Sequence, residues 1–244
     1  MSGYSMDGVI IPTFQPVIDL RSGVPLYYEA LARSTVKKSH HELLRFAEGY
    51  GFIQLIDAAM IAAAAKTLSR WPDIRVGVNV SVSTIERYCA ATVCALFNHL
   101  PLAPRFVIEI TETMPITDPK MIHTFVDAVK ATGAMVAMDD LGDGCFTLAD
   151  VVEYKPNIVK LAGVMLSERK QRRAEIDAIV SFATNHGIHV VAEVVETEEE
   201  QHACLEMGVG FAQGYFLGRV CQQPEVLPSH GVVNYGFRAA ERRA

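Results

Sequence analysis

Residues 13–33 read TFQPVIDLRSGVPLYYEALAR and contain two short apolar runs with only four residues, 21–24, between them. The two runs predict strands near 13–20 and 25–33. Parallel neighbours need a crossover of about a dozen residues or more, so this linker is too short to join a parallel pair. The segment therefore predicts an antiparallel hairpin at the start of the fold.

The rest of the chain alternates short apolar runs with longer segments of helical spacing. This order is typical of a mostly parallel sheet that is covered by helices. Six further strands are predicted near residues 75–82, 106–111, 134–140, 157–161, 188–194 and 209–213. Together with the hairpin they predict an α/β fold, a TIM-like (β/α)8 barrel with an antiparallel first strand.

Capping residues mark the starts of several predicted helices. Ser39 with Glu42 and Thr197 with Glu200 have the spacing of a capping box, in which each side chain bonds the backbone of the other residue. Asp118 precedes a proline and predicts another helix start. The acidic residues that follow Thr197 are interpreted as a first helical turn, where the helix dipole favours negative charge, and are given no catalytic role.

The composition limits the classes of function. The chain has 244 residues, of which 50% are hydrophobic and 8% aromatic, and its formal charge is −6. Phosphate backbones recruit clustered basic residues and stacking rings, so this composition argues against a nucleic-acid polymer as the partner. No linker, solenoid-length repeat or low-complexity tract divides the sequence, which predicts one domain.

Cysteine usage and the amino terminus indicate the compartment. The five cysteines show neither a CxxC pair nor the spacing of zinc ligands, which is typical of reduced thiols. Residues 1–7 lack the pattern of a signal peptide, and the most apolar segment, 60–65, is too short to span a bilayer. We therefore expect a cytoplasmic chain without membrane insertion. Cys145 is interpreted as a small loop-filling residue, with a thiol switch as the alternative.

Eight polar or charged residues stand at or near the ends of the apolar runs. They are Glu29, Asn79, Glu109, Asp139, Asp140, Lys160, Glu193 and Gln213. Charged groups are costly to bury singly, so this repeated placement predicts one shared polar site that holds cations. Any one of them alone is better explained as a satisfied buried group or a surface ion pair. The set as a whole favours a cation site, because clustered like charges raise one another's pKa unless a cation neutralises them.

Side-chain alternation predicts that these residues point into the barrel. Within 106–111 the phenylalanine and the two isoleucines share one face of the strand, and Glu109 lies on the other. Within 76–82 the valines at even positions leave Asn79 on the opposite face. The apolar faces are expected to pack on helices, so the polar residues are expected in the lumen, near the carboxyl ends of the strands where such barrels carry their sites.

A set of short motifs now gives a resemblance. Tyr28-Glu29-Ala30-Leu31-Ala32-Arg33 contains the tripeptide EAL with an arginine downstream. The supporting motifs are Phe14-Gln15-Pro16, Val78-Asn79-Val80-Ser81, Glu109-Ile110-Thr111-Glu112, Met138-Asp139-Asp140, Val159-Lys160, Ala192-Glu193-Val194-Val195-Glu196-Thr197 and Gln213-Gly214-Tyr215. With these motifs in this order, the chain resembles the EAL-domain cyclic di-GMP phosphodiesterases. The resemblance covers residues 12–224 and leaves 1–11 and 225–244 as amino- and carboxyl-terminal extensions.

The resemblance implies two divalent cations, Mg²⁺ or Mn²⁺. It assigns one cation to Glu29, Asn79, Glu109 and Asp139, with Asp139 bridging to a second cation. Asp140 and Glu193 are implied to help bind that second cation. Ligands that are all oxygen suit these hard ions better than zinc.

The reaction that the resemblance implies is hydrolysis of cyclic di-GMP to linear pGpG by a water that the two cations activate. Lys160, Glu193 and Gln213 are the implied catalytic residues. Lys160 would hydrogen-bond or deprotonate the water, as suits an amine whose pKa is lowered by burial, and Gln213 would help to position it.

Four further residues receive roles from the resemblance. Gln15, Leu31 and Arg33 are implied to bind the nucleotide, the arginine by paired hydrogen bonds. Glu112 matches a glutamate that steadies the loop after the fifth strand, although a surface carboxylate at a strand end explains it nearly as well.

The sequence also departs from the family pattern. Residues 140–147 read DLGDGCFT where the family usually has DFGTGYSS after the aspartate that matches Asp139, and Ala162, Val194 and Val220 replace an aspartate, a glycine and a proline. In the family this loop couples metal binding to a dimer interface, so the sequence does not decide the geometry of the homodimer that the resemblance implies. A second hypothesis therefore stands beside the enzyme: a catalytically degenerate EAL domain that acts as a cyclic di-GMP receptor or protein-interaction module.

Overall fold

The structure is a computed structural model that describes residues 10–34, 40–111, 115–144 and 146–224. Within these ranges eight strands form a closed barrel in chain order. They are β1 Ile10–Asp19, β2 Pro25–Ser34, β3 Val76–Ser81, β4 Phe106–Thr111, β5 Met135–Leu141, β6 Ile158–Leu161, β7 His189–Ala192 and β8 Phe211–Ala212. The predicted TIM-like barrel is confirmed.

Strand β1 runs antiparallel to both of its neighbours, β2 and β8, and the other pairs are parallel. The turn between β1 and β2 is closed by Asp19, whose carboxylate accepts the backbone N–H of Arg21 at 2.8 Å. Gly23 supplies the left-handed backbone of this turn, with φ of 71°. The hairpin predicted from the four-residue linker is confirmed, and its register sets Gln15 opposite Glu29.

Helices surround the barrel in the described part of the chain. They are α1 His40–Gly49, α2 Ile53–Arg70, α3 Val82–Phe97, a short 3-10 helix Leu100–Arg105, α4 Pro119–Ala131, α5 Leu148–Tyr154, α6 Gly163–Ser167, α7 Arg173–His186 and α8 Glu198–Glu206. The connections after β2 and β6 each hold two α-helices, and the connection after β3 holds α3 and the 3-10 helix.

The predicted caps have different outcomes. Thr197 and Glu200 form the reciprocal capping box at the start of α8, and Asp118 accepts the backbone N–H of Met121 at the start of α4, so both predictions are confirmed. Ser39 lies outside the described residues, as does the side chain of Glu42, and α1 begins at His40.

Two apolar layers hold the barrel together. Outward-facing strand residues such as Val76, Val78 and Val80 have no exposed surface and pack in the large core between strands and helices. A smaller cluster fills the lower lumen and includes Val17, Tyr27, Val107, Ala137, Ile158 and Val191. Because this cluster closes the lumen from below, the polar lumen residues are confined to the end where the parallel strands finish.

Three strand ends differ from the sequence prediction by two or more residues. β1 begins at Ile10 rather than near 13, β7 ends at Ala192 rather than near 194, and β8 begins at Phe211 rather than near 209. The second difference has a backbone cause, since Val194 adopts a left-handed conformation with φ of 57°, which a strand cannot contain.

None of the described helices combines the length and the apolar composition that a membrane span requires.

Candidate metal centre

Lys160 on β6 lies at the centre of a buried charged cluster. Its Nζ is 2.7 Å from Asp139 Oδ1, 2.9 Å from Glu109 Oε2, 2.9 Å from Glu193 Oε1 and 3.3 Å from Glu29 Oε2. The lysine is 1% exposed and Glu109 is fully buried. Four carboxylates from different strands or strand ends therefore converge on one ammonium group.

Two amides orient the Glu29 carboxylate. Asn79 Nδ2 donates to Glu29 Oε1 at 3.0 Å, and Gln213 Nε2 donates to Glu29 Oε2 at 2.7 Å. Gln213 Nε2 also lies 3.4 Å from Gln15 Oε1, and Gln15 Nε2 donates to the carbonyl of Gly218 at 3.3 Å. Both carboxylate oxygens of Glu29 are thus fixed before any ligand arrives.

Several buried acceptors in the cluster have no hydrogen-bond donor among the described residues. They include Asn79 Oδ1, Glu109 Oε1 and Gln213 Oε1. Glu109 Oε2 and Asp139 Oδ1 lie within ion-pair distance of Lys160 Nζ but without the angle of a hydrogen bond, so we treat these contacts as electrostatic. Unsatisfied buried acceptors are costly, and a cation is the partner that satisfies several of them at once.

The donor set fits a metal ion. Glu29, Glu109 and Asp139 each offer an oxygen, and these oxygens lie within 4.8 Å of one another. Carboxylate and amide oxygens are the ligands that hard cations prefer. An acidic triad that can hold a divalent cation is therefore present on β2, β4 and β5.

The pKa values of these acids reflect burial and mutual repulsion. Burial, with added repulsion from Glu29 and Asp139, raises the pKa of Glu109 to about 8 despite the nearby lysine. Burial, with repulsion from Glu29 and Asp140, raises the pKa of Asp139 to about 6. Burial, with repulsion from Asp139, Asp140 and Glu29, raises the pKa of Glu193 well above its ordinary value. Glu29 differs: burial acts to raise its pKa, but Lys160 and the two amide bonds outweigh burial and lower it.

The expected lowering of the Lys160 pKa by burial is wrong for this arrangement. Burial does act in that direction, but Asp139, Glu109, Glu193 and Glu29 together outweigh it and raise the pKa well above its ordinary value. A lysine that faces four carboxylates keeps its proton, because the charged form is the one its neighbours stabilise.

Other predicted site residues lie at the edge of this cluster. Asp140 is exposed at the end of β5 and has a left-handed backbone with φ of 53°. Leu31 and Arg33 are half-buried, two and four residues beyond Glu29 on β2, and so share its face of the strand. Glu112 and Cys145 lie outside the described residues.

Tyr27 and Gly77 form the floor of the cluster and were missed from the sequence. A Cβ on Gly77 would overlap Glu109 Oε1 and would lie 2.6 Å from Tyr27 Cε2. The Tyr27 hydroxyl is buried without a hydrogen-bond partner among the described residues, and burial and Glu109 raise its pKa well above the ordinary value. Alternation along β2 could have indicated Tyr27, since it shares a face with Glu29, and a glycine within a run of valines was the signal for Gly77.

Two of the sequence departures are explained locally. Ala162 is buried just before α6, where its N–H donates to the carbonyl of Leu141 at 3.1 Å. Val194 is 57% exposed and left-handed, a strained conformation for a β-branched residue, and its side chain covers Gly163. A Cβ on Gly163 would lie 2.7 Å from Val194 Cγ2, so the two positions depend on each other.

The closed (β/α)8 barrel and the acidic cluster among its strand ends place this chain in the class of TIM-like barrels whose site can hold a metal ion. The EAL domain family model matches residues 6–220, and the chain belongs to this family.

Individual relatives agree with this membership. The chain is 29% identical over 230 residues to the cyclic di-GMP phosphodiesterase RocR of Pseudomonas aeruginosa, and the match covers 88% of this chain and 58% of RocR. It is 26% identical over 220 residues to the cyclic di-GMP phosphodiesterase PdeF of Escherichia coli, covering 84% of this chain and 29% of PdeF. The chain therefore spans less than two thirds of these relatives.

A solved structure shares the fold. The manganese and cyclic di-GMP complex of BlrP1 from Klebsiella pneumoniae superposes with a TM-score of 0.76 at 24% sequence identity, and the match covers 91% of this chain and 57% of that chain.

Proposed function

We propose that this chain hydrolyses one phosphodiester bond of cyclic di-GMP to give linear pGpG, using two divalent cations, Mg²⁺ or Mn²⁺. The observation that carries the proposal is the set of buried carboxylate oxygens of Glu29, Glu109 and Asp139 within 4.8 Å of one another. The names of the relatives RocR and PdeF and the manganese in the BlrP1 complex support the substrate and the kind of ion.

In this proposal the ligands divide between two sites. Glu29, Asn79, Glu109 and Asp139 would hold one cation, and Asn79 Oδ1 and Glu109 Oε1, which find no donor in the described part of the chain, are acceptors suited to it. Asp140 and Glu193, with Asp139, would hold the second cation. The bound cations would lower the pKa of a bound water and offset the negative charge that develops on the phosphate.

The remaining roles belong to the side chains of this chain. Lys160 Nζ, which keeps its proton beside four carboxylates, would donate a hydrogen bond to the water or to a phosphate oxygen. Gln213 Oε1, a buried acceptor without a partner among the described residues, would accept a hydrogen bond from the attacking water. Gln15, Leu31 and Arg33 would bind the nucleotide beside the cluster.

The direct test is product analysis. The purified chain is incubated with cyclic di-GMP and Mg²⁺ or Mn²⁺, and the nucleotides are separated by chromatography. We expect pGpG to form with metal and not with chelator, and we expect Glu109→Gln to abolish it. A folded, metal-loaded sample that forms no pGpG across the physiological pH range would refute the proposed reaction.

One observation favours a second candidate function, a receptor that binds cyclic di-GMP without cutting it. Asp140 is exposed at a left-handed position, its carboxylate is not among the four that contact Lys160, and the loop after it departs from the family pattern. Calorimetry distinguishes the two candidates, because a receptor would bind the nucleotide with metal present and release it unchanged.

We also propose three features of this chain that its sequence predicts. They are the division into a barrel domain at 12–224 with extensions at 1–11 and 225–244, the homodimer, and the cytoplasmic location. Light scattering after size-exclusion chromatography tests the homodimer, for which a mass near 26.8 kDa would be the contrary result.

A further inference from the structure

Arg172 connects two segments beside the acidic cluster. Its Nη1 donates to the carbonyl of Gly142 at 2.8 Å and lies 3.0 Å from Met165 Sδ. Gly142 directly follows β5 and stands two residues after Asp140, whereas Arg172 immediately precedes α7. A guanidinium from one connection therefore binds the backbone of the loop that follows the β5 acids.

Arg172 is itself held in place by acids of its own segment. Its Nε donates to Glu168 Oε2 at 3.0 Å, and its Nη1 lies 3.8 Å from Glu175 Oε2. Its side chain is only 29% exposed. Because Glu168 and Glu175 already restrict the guanidinium, its bond to the carbonyl of Gly142 costs little further conformational entropy.

The loop is confined from the other side as well. Gly142 has φ of 96°, and a Cβ there would overlap Met165 Sδ and lie 3.3 Å from Arg172 Nη1. Met165 is fully buried, so its side chain is packed on all sides and has little room to move away from the loop. The first residue of the loop is thus enclosed between a thioether and a guanidinium.

The backbone of Asp140 is strained, so contacts in the following loop are needed to hold it. Its left-handed backbone costs free energy for a residue with a Cβ and persists only where the surroundings hold it. Two backbone bonds contribute, from Asp143 N–H to the carbonyl of Asp140 at 3.3 Å and from Ala162 N–H to the carbonyl of Leu141 at 3.1 Å. The Arg172 bond to Gly142 is the charge-assisted contact in this group, and so the strongest candidate for fixing the segment.

We propose that Arg172 is a positioning residue that holds the β5 end so that the Asp140 carboxylate can serve the second divalent cation. This inference rests on the proposed function, since it assigns Asp140 to a cation. Arg172 contacts neither the cation nor the nucleotide in this proposal, and it acts through the carbonyl of Gly142.

Manganese titration of the nucleotide-free chain tests the inference, with calorimetry as the readout. Arg172→Ala is compared with Arg173→Ala, a neighbour whose Nε pairs with Asp177 Oδ1 at 2.8 Å within α7. We expect Arg172→Ala to weaken one of two Mn²⁺ sites about 10-fold or more, as is typical when a residue that orients a ligand is removed. Arg173→Ala should leave both sites unchanged, and Arg172→Lys should restore part of the loss.

The outcomes separate the inference from the function on which it rests. If the wild-type chain binds Mn²⁺ and forms pGpG but Arg172→Ala binds both ions with unchanged affinity, the inference is overturned and the proposed function survives. Equal losses in Arg172→Ala and Arg173→Ala would also overturn it, because they would indicate a general charge effect. If the wild-type chain binds no divalent cation, the proposed function fails first. Melting curves in chelator show whether Arg172→Ala folds. If it does not fold, Mn²⁺ binding by Arg172→Lys is compared with that of the wild type and Arg173→Ala instead.

Discussion

Lys160 Nζ lies 2.7 Å from Asp139 Oδ1, and the same ammonium contacts three further carboxylates. Among the described residues, Lys160 is the only basic side chain within ion-pair distance of these acids. The lysine therefore supplies the positive charge that makes the acidic lumen tolerable, and a divalent cation would act on the same carboxylates. We therefore expect stability and metal binding to be coupled through this one residue.

The first prediction concerns removal of that charge. Lys160→Met should destabilise the chain in chelator by about 3–5 kcal/mol, because breaking a buried pair leaves carboxylates without compensation. Mn²⁺ should recover much of this loss, so the rise in melting temperature on adding Mn²⁺ should be larger than in the wild type. Lys66→Met, at an exposed position on α2, is the control. An equal rise in Lys160→Met and wild type would contradict the coupling.

The second prediction concerns Glu29, the proposed metal ligand whose carboxylate accepts hydrogen bonds from the amides of Asn79 and Gln213. Glu29→Gln keeps the shape of the side chain but removes a charge, and we expect Mn²⁺ affinity and pGpG formation to fall together by about 10-fold or more. Calorimetry and chromatography measure the two quantities. A variant with a lower melting temperature but unchanged Mn²⁺ affinity would show that Glu29 has a structural role only.

The third prediction concerns the floor of the site. Gly77→Ala places a methyl group where Glu109 Oε1 and the Tyr27 ring now lie, so the carboxylate must move. We expect a loss of about 1–3 kcal/mol in the free energy of unfolding, as for other overpacked cores, together with weaker Mn²⁺ binding. Gly210→Ala is the matched control, because a Cβ there meets nothing within 4 Å. Equal effects at the two glycines would refute the crowding argument.

The fourth prediction concerns pH and lies outside the metal cluster. Asp57 on α2 accepts hydrogen bonds from Thr84 Oγ1 at 2.6 Å and from the N–H of Ser81 at 3.1 Å, and burial raises its pKa from 3.8 to about 7. An acid with a higher pKa in the folded state holds its proton more tightly there, so its contribution to stability is largest at low pH and is lost as the pH rises to about 7.

Denaturant unfolding of wild type and Asp57→Asn at several pH values measures this contribution. The wild type should lose about 2–3 kcal/mol relative to the variant between about pH 5 and pH 8. The asparagine also changes the free energy of unfolding through its altered hydrogen bonds, by an amount that does not depend on pH. Only the difference between the slopes of unfolding free energy against pH is therefore informative. Parallel curves would show that the Asp57 pKa is close to its ordinary value.

Local sequence patterns were enough for the fold and for the strand face on which the polar side chains lie. A four-residue linker excludes a crossover helix wherever it occurs, and alternation at a period of two assigns Glu109 and Asn79 to the face opposite the valines and isoleucines. Alternation did not give the end of β7, because the left-handed backbone at Val194, whose side chain lies against Gly163, leaves no trace in the side-chain pattern.

The sequence by itself therefore determined the barrel, its antiparallel first pair and the acids that face the lumen, since these follow from chain length and side-chain period. Only the tertiary structure decided that one lysine contacts four of those acids and holds its proton, that Tyr27 and Gly77 shape the floor, and that Arg172 reaches Gly142. The physical reason is that pKa and contact depend on distances between strands far apart in the chain, and barrel closure sets those distances.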